Sequence, residues 1–266
     1  MMKAEVNLLK MRTELNTSVD YFLSLKNEEL HVNDLLNRPV SLKWTGQIHC
    51  IKCGNKTKKS FAQGYCYPCF ISAPETAPCI IQPEQCEAHL GKARDMNWSK
   101  KNCLADHYVY LALSSGVKVG VTRATQIPIR WADQGAVKAL KFAKTPNRHL
   151  AGLIEKDLKN YFSDKTSWQK MLKNDIDFNA NLISEKAKAK DLLRSDLSKY
   201  ITDDDELYTL NYPVKTYPKK IKSINLEKTP EFSGKLIGIK GQYLIFEGGF
   251  VINIRKYGGY LIEIEY

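Results

Sequence analysis

Seven cysteines fall into two sets, and the spacing of the first is the clearest chemical signal in the chain. It reads CIKCGNKTKKSFAQGYCYPC, that is Cys50-x2-Cys53, twelve residues, then Cys66-x2-Cys69. Each pair can close a tight turn that aims both thiolates at one ion, and four sulfurs in a tetrahedron suit Zn²⁺. Gly54 and Gly64 loosen the backbone beside each pair. Four protein ligands leave no position for a substrate, so the zinc expected here is structural. A rubredoxin-like iron site or two redox CxxC pairs would use the same spacing.

The second set, CIIQPEQCEAHLGKARDMNWSKKNC, offers Cys79, Cys86, His89 and Cys103, with His107 beyond it as a rival fourth ligand. Cys86-x2-His89 has knuckle spacing, and three thiolates with one imidazole make an acceptable zinc shell. The gaps of six and thirteen residues are irregular, so buried cysteines without a metal are the other reading.

Lysine and arginine number 40 against 29 acidic residues, for a net charge of +11. Lysines are spread along the whole chain, which favours a polyanionic partner through counterion release. Nucleic acid, RNA or DNA, is therefore the expected partner; a solvated basic surface on an interaction module is the alternative. No window approaches the roughly eighteen apolar residues of a spanning helix, so no membrane partner is expected. Charges interrupt MMKAEVNLLKMRTEL too early for a signal peptide, and the expected location is cytoplasmic. In that reducing compartment, cysteines at these spacings argue for metal rather than disulfides. There is no P-loop, no dinucleotide glycine fingerprint and no nucleophile elbow.

The elements that would position these groups change character along the chain. Residues 1–49 form an N-terminal β segment, and the Cys-, Pro- and Gly-rich residues 50–106 a zinc-binding region ordered by metal. From residue 107 two short strands, YVYLAL and VKVGV, flank a Ser114-Ser115-Gly116 turn. A third strand, GAVKALKFAK, leads to a helix expected to start with Thr145 as cap and Pro146 behind it. Leu150, Ile154, Leu158 and Phe162 give that helix its apolar stripe. Residues 107–176 make one module, and 177–228 a second helix (over 178–201) with a linker. Residues 229–266 are a β-meander, too short to fold alone and expected to pack on the N-terminal strands.

Between the second strand and the first helix stands Arg130, which neither packing nor turn formation requires. Arg123 and Gln126 lie on a loop that could face a ligand, and Asp133 and Gln134 are polar neighbours of Arg130. Arg148 is at a helix N-terminus, where anions bind readily. These five are the candidate contacts to a substrate. For Tyr110, Arg130 and Glu155 the ordinary readings are core packing, a helix-start ion pair and a solvated helix face.

Strand, turn, strand and helix carrying Tyr110, Gly120 and Arg130, with Glu155 on a later helix, resembles the GIY-YIG nuclease family. Tyr110 in YVY stands where that family's first motif ends, and Lys118-Val119-Gly120 occupies the place of its second. The likeness covers about residues 107–162. The whole chain, including VYLALSSGVKVGVTR…RWADQGA and GKLIGIKGQYLIF, is similar to an uncharacterised prokaryotic family: a domain of unknown function with a GIY-YIG-like core. The resemblance implies that Glu155 holds one divalent cation, Mg²⁺ or Mn²⁺, and that Arg130 braces phosphate oxygens with its fork. Tyr110 would orient or deprotonate a water. Lys118 departs from the family, which has a second Tyr there, and would serve as base or as phosphate contact.

The expected fold is therefore α+β, a GIY-YIG-like ββα…βα core with an inserted zinc-knuckle region and a β-barrel-like module from the N- and C-terminal strands. The expected function is a zinc-containing nucleic-acid-binding protein, with RNA, tRNA included, slightly favoured. The alternatives are a divalent-metal-dependent endonuclease, an RNA-modifying enzyme, and a module that does not bind nucleic acid.

Overall fold

The computed structural model describes residues 2–25 and 28–266, an α+β chain with three sheets among them. They fall into two compact units, Met1–Ile71 with Asn211–Tyr266, and Ser72–Leu210. In chain order the strands are β1 (Lys3–Asn7), β2 (Arg12–Leu15), β3 (Val19–Ser24), β4 (Glu29–His31) and β5 (Pro39–Ile48). Then come β6 (His107–Leu113), β7 (Val117–Arg123), β8 (Lys138–Thr145) and β9 (Tyr208–Thr209). The last five are β10 (Lys222–Ser223), β11 (Glu231–Lys240), β12 (Tyr243–Phe246), β13 (Phe250–Asn253) and β14 (Tyr260–Glu265). The helices are α1 (Tyr67–Ser72), α2 (Met96–Asn102), α3 (Ile129–Asp133), α4 (Arg148–Leu158), α5 (Trp168–Lys173) and α6 (Leu182–Leu192).

In the first unit, alternation decides which face is buried. Ile262 and Ile264 of β14 are buried, while Glu263 and Glu265 turn outward to Lys3 Nζ at 3.0 and 3.2 Å. Val6 of β1 pairs opposite Ile262, and Leu42 of β5 opposite Ile264, so the apolar side chains stack on one face of the pleat. The sheet runs β1-β14-β5-β11-β12-β13-β10, beside a smaller sheet of β2-β3-β4. The expected barrel-like module is thus corrected to an open sheet whose outer strands, β1 and β10, are not partners. β10 is only two residues long and pairs with β13 alone, too short a ladder to close a barrel.

The second unit is built on the antiparallel sheet β7-β6-β8-β9. β6 is central, and residues 109–113 are at most 1 % exposed, which is why HYVYLAL reads as a continuous apolar run rather than an alternation. Helix α4 packs on β6, β7 and β8, and α6 on β6 and β8. α4 starts later than Thr145 predicts. Asn147 is the cap, its Oδ1 accepting from Leu150 N at 3.0 Å, while Thr145 ends β8. α6 is shorter than 178–201 because Leu193 turns extended and the Arg194 N–H goes to the Asp157 carboxylate at 3.0 Å.

Candidate functional site

Cys50, Cys53, Cys66 and Cys69 bring their sulfurs within 4.8 Å of one another. Cys53 and Cys66 are 3.8 Å apart, which matches the edge of about 3.8 Å for a tetrahedron with Zn–S near 2.3 Å. The turns that aim them are local: Gly54 N–H donates to Cys50 O at 2.8 Å, and Phe70 N–H to Cys66 O at 2.8 Å, opening α1. Lys52 N–H lies 3.4 Å from the Cys50 sulfur. Burial opposes ionisation of Cys50, but N–H donors from Cys66, Cys53 and Lys52 bring its thiol down to about 6. Four convergent sulfurs, one already favouring thiolate, fit a zinc ion held entirely by protein. Rubredoxin-like iron would take the same four donors.

The second group is smaller than its sequence predicts. Cys79, Cys86 and Cys103 converge within 4.8 Å, a spacing that also fits one ion. Neither His89 nor His107 belongs to that group among the described residues. His89 is exposed and stacks on His149, ring centroids 4.4 Å apart. His107 is buried, with Nδ1 2.8 Å from Ala105 O, and burial pulls its pKa down to about 4.

The carbonyls around this trio are tied to α4. Arg148 donates through Nη1 to Cys79 O at 3.3 Å and through Nη2 to Asn102 O at 3.1 Å, and its backbone N–H goes to Cys103 O at 2.8 Å. Arg123 reaches Asn102 Oδ1. Both arginines, expected as substrate contacts, are here engaged in holding the cysteine segment. Gly152 explains how α4 comes so close: a Cβ there would sit 2.1 Å from the backbone nitrogen of Glu84.

A third cluster gathers around Tyr110. The β6–β7 register sets Tyr110 opposite Gly120 and Ala112 opposite Lys118, so Tyr110, Lys118 and Gly120 share one face. A Cβ at position 120 would lie 2.6 Å from the Tyr110 hydroxyl, so the glycine leaves room for the phenol. A register shift between β6 and β8 falls at Val109/Tyr110, the kind of bulge that re-aims a side chain. Tyr110 donates to Gln134 Oε1 at 2.8 Å, and Arg130 of α3 also hydrogen-bonds the phenol. Burial raises the Tyr110 pKa, and Arg130 opposes that rise.

Lys118 is 4 % exposed, and burial, followed by the charge of Arg130, holds it down to about 8. Glu155 is 8 % exposed on α4, where burial pushes its carboxyl above the usual range. Its oxygen lies 3.3 Å from Lys159 Nζ, and the same amine lies 3.4 Å from Asp164. Both Tyr110 and Lys118 feel Arg130 and Glu155, so the four residues named from the family resemblance share one electrostatic neighbourhood. Arg130 and Gln134 are its half-buried members. Asp133 is buried at the end of α3, and Gln126 is half-buried on the turn Ala124–Gln126.

Sequence reasoning missed Lys159 and Asp164. The Glu155–Lys159 pair was available as an i,i+4 spacing, whereas the Asp164 contact depends on the chain turning back after Leu158. Among the described residues no helix is long and apolar enough to cross a membrane.

No curated protein and no solved structure matches this chain. One family does, described as a protein of unknown function (DUF2797), over residues 37–262. A match of that extent places the chain in it: the protein belongs to the DUF2797 family.

Proposed function

We propose that this protein binds nucleic acid, with structured RNA such as tRNA favoured over DNA, through a GIY-YIG-like core whose Arg130 meets a backbone phosphate. Zinc at Cys50, Cys53, Cys66 and Cys69 supports the fold in this reading, and thiolate ligands suit a cytoplasmic setting. The observation that carries it is the convergence of Lys118 and Arg130 on the Tyr110 side of the sheet, with Lys159 nearby. Three cations face two carboxylates, Glu155 and Asp164, and Glu155 is itself pushed toward its neutral form by burial. Such an excess suits a phosphate oxygen, which the planar guanidinium can bind through two parallel bonds. The chain's net charge of +11 supports the same partner class.

A second reading, metal-dependent phosphodiester cleavage, draws on one observation. With a pKa held to about 8, Lys118 is partly neutral near physiological pH and able to accept a proton from water. Mg²⁺ or Mn²⁺ would then have to sit on Glu155, whose oxygen is engaged by Lys159 at 3.3 Å. A single carboxylate already paired with an ammonium is a weak cation ligand, so binding stands ahead of cleavage.

Incubating pooled RNA and DNA with wild type and Glu155→Gln, with and without Mg²⁺, separates the two. Retained or tighter binding by Glu155→Gln, with no cutting by either protein, is the expected result. Metal-dependent cutting by wild type alone would make the protein a nuclease. No binding by either would leave the interaction-module reading in its place.

A further inference from the structure

We propose that Cys79, Cys86 and Cys103 hold one Zn²⁺ with three protein thiolates, and that its fourth position opens onto an adjoining cavity and takes an exchangeable small ligand, water at rest. This inference is independent of the nucleic-acid reading.

Four observations lead to it. The three sulfurs lie within 4.8 Å of one another, close to the sulfur–sulfur edge of about 3.8 Å that one tetrahedral zinc requires. The protein also donates hydrogen bonds to the sulfurs, as the surroundings of a thiolate ligand must: the Ala88 N–H to Cys86 and the Ser99 hydroxyl to Cys103. Next, no fourth cysteine, histidine or carboxylate joins the group among the described residues. His89 is turned to His149, and His107, whose Nδ1 meets Ala105 O and whose buried Nε2 has no hydrogen-bond partner among the described residues, lies outside the 4.8 Å group. Finally, all three cysteines line one cavity of about 290 Å³, together with Trp98, Lys92, Arg94 and Glu87, whose carboxylate lies outside the converged group.

A structural zinc site closes itself with four protein ligands, whereas a site that exchanges ligands keeps one position open. The first cysteine group has the closed composition, and this one has the open composition with space beside it. The cavity lies just below the usual volume of small-molecule sites, room for a small Lewis base but not for a nucleotide. Zn²⁺ with three thiolates carries one negative charge, and Lys92 and Arg94 on the cavity wall, set against Glu87 there, offset it. The ligand class is therefore a small neutral or anionic donor, an imidazole or a thiol. A thiol would bind as its thiolate, releasing its proton to solvent and displacing the bound water.

Cobalt(II) tests this in the full-length chain, because the visible bands of tetrahedral cobalt report each ligand. Two cobalt ions per chain are expected, and titration with imidazole or 2-mercaptoethanol should shift the bands of one of them. Cys86→Ser should abolish the shift and lower the count to one, while His89→Ala and His107→Ala should leave both unchanged. A count of one in wild type, with Cys86 reactive to alkylating reagent, would make these cysteines metal-free and overturn the proposal. So would bands that do not respond to either ligand, or loss of the second ion in His89→Ala or His107→Ala, which would show a closed shell. Should Cys86→Ser fail to fold, the wild-type titration and the histidine variants still decide.

Discussion

Cys50, Cys53, Cys66 and Cys69 ride on tight turns, such as Gly54 N–H to Cys50 O, which Ile51 N–H to Gly64 O ties to each other and His49 N–H to Gly259 O ties to the C-terminal strands. Cys79, Cys86 and Cys103 are held from outside, by Arg148 and Gly152 of a helix that begins 45 residues after Cys103. The first group offers four sulfurs, enough for a metal shell of protein atoms alone; the second stops at three among the described residues and adjoins a cavity. The difference teaches why one set is regular in sequence and the other is not. Cysteine pairs carried on tight turns need fixed short spacings, while ligands braced by a distant helix can fall wherever that brace presents them.

The largest expected effect separates the two groups directly. Loss of the ion in Cys53→Ser removes a contribution on the order of 10 kcal/mol, comparable with the roughly 5–15 kcal/mol that holds a domain folded. Circular dichroism and zinc content should therefore show one unit unfolded with its metal gone. Cys86→Ser should cost far less, because β6, β8 and α4 supply a core that does not pass through the cysteines. Equal loss of structure in the two variants would erase the distinction.

A smaller effect compares buried lysines, one in each unit. Burial holds both Lys118 and Lys240 down to about 8 from a reference of 10.5. Lys118 has Arg130 and Glu155 as charged neighbours, whereas Lys240 lies 5.3 and 5.1 Å from the ring centres of Tyr212 and Tyr217. Below pH 8 each lysine is protonated in both folded and unfolded states, and the cost of burying the charge is present in full. Between pH 8 and 10.5 the unfolded chain binds the extra proton, so stability rises with pH. The whole span amounts to at most roughly 3 kcal/mol per lysine. Urea midpoints at pH 7.5 and 9.5 should rise in wild type and rise less in Lys118→Met and in Lys240→Met. A wild-type midpoint that falls over this range, or variants that follow wild type, would contradict the burial account.

What the sequence made legible is what is local. The Ser114-Ser115-Gly116 hairpin and the first cysteine group depend on residues a few positions apart, and the mixed α+β class followed from such segments. The sheet of the first unit was harder to see. β14 lies second from the edge there, between β1 and β5, so its ladder joins residues 3–7 to residues 261–265, and no short pattern carries that pairing or the sheet's failure to close. Helix starts slipped where two capping residues compete: Thr145 precedes a proline, but Asn147 offers its carbonyl to Leu150 N. The hold of Arg148 on Cys79 O and Asn102 O was not legible, because backbone carbonyls as partners leave no mark in a sequence. Lys159 was legible four residues after Glu155, and it weighs against that carboxylate as a free metal ligand.

The central claim, that Arg130 serves a phosphate of bound nucleic acid, is tested most directly by anisotropy of labelled tRNA and duplex DNA between about 50 and about 200 mM salt. Wild type should bind tRNA more tightly than DNA, with affinity falling linearly on a log–log plot. Arg130→Ala should weaken binding of both and reduce the salt slope by about one. Binding that ignores salt, no binding at the lowest salt, or an Arg130→Ala slope equal to that of wild type would contradict it.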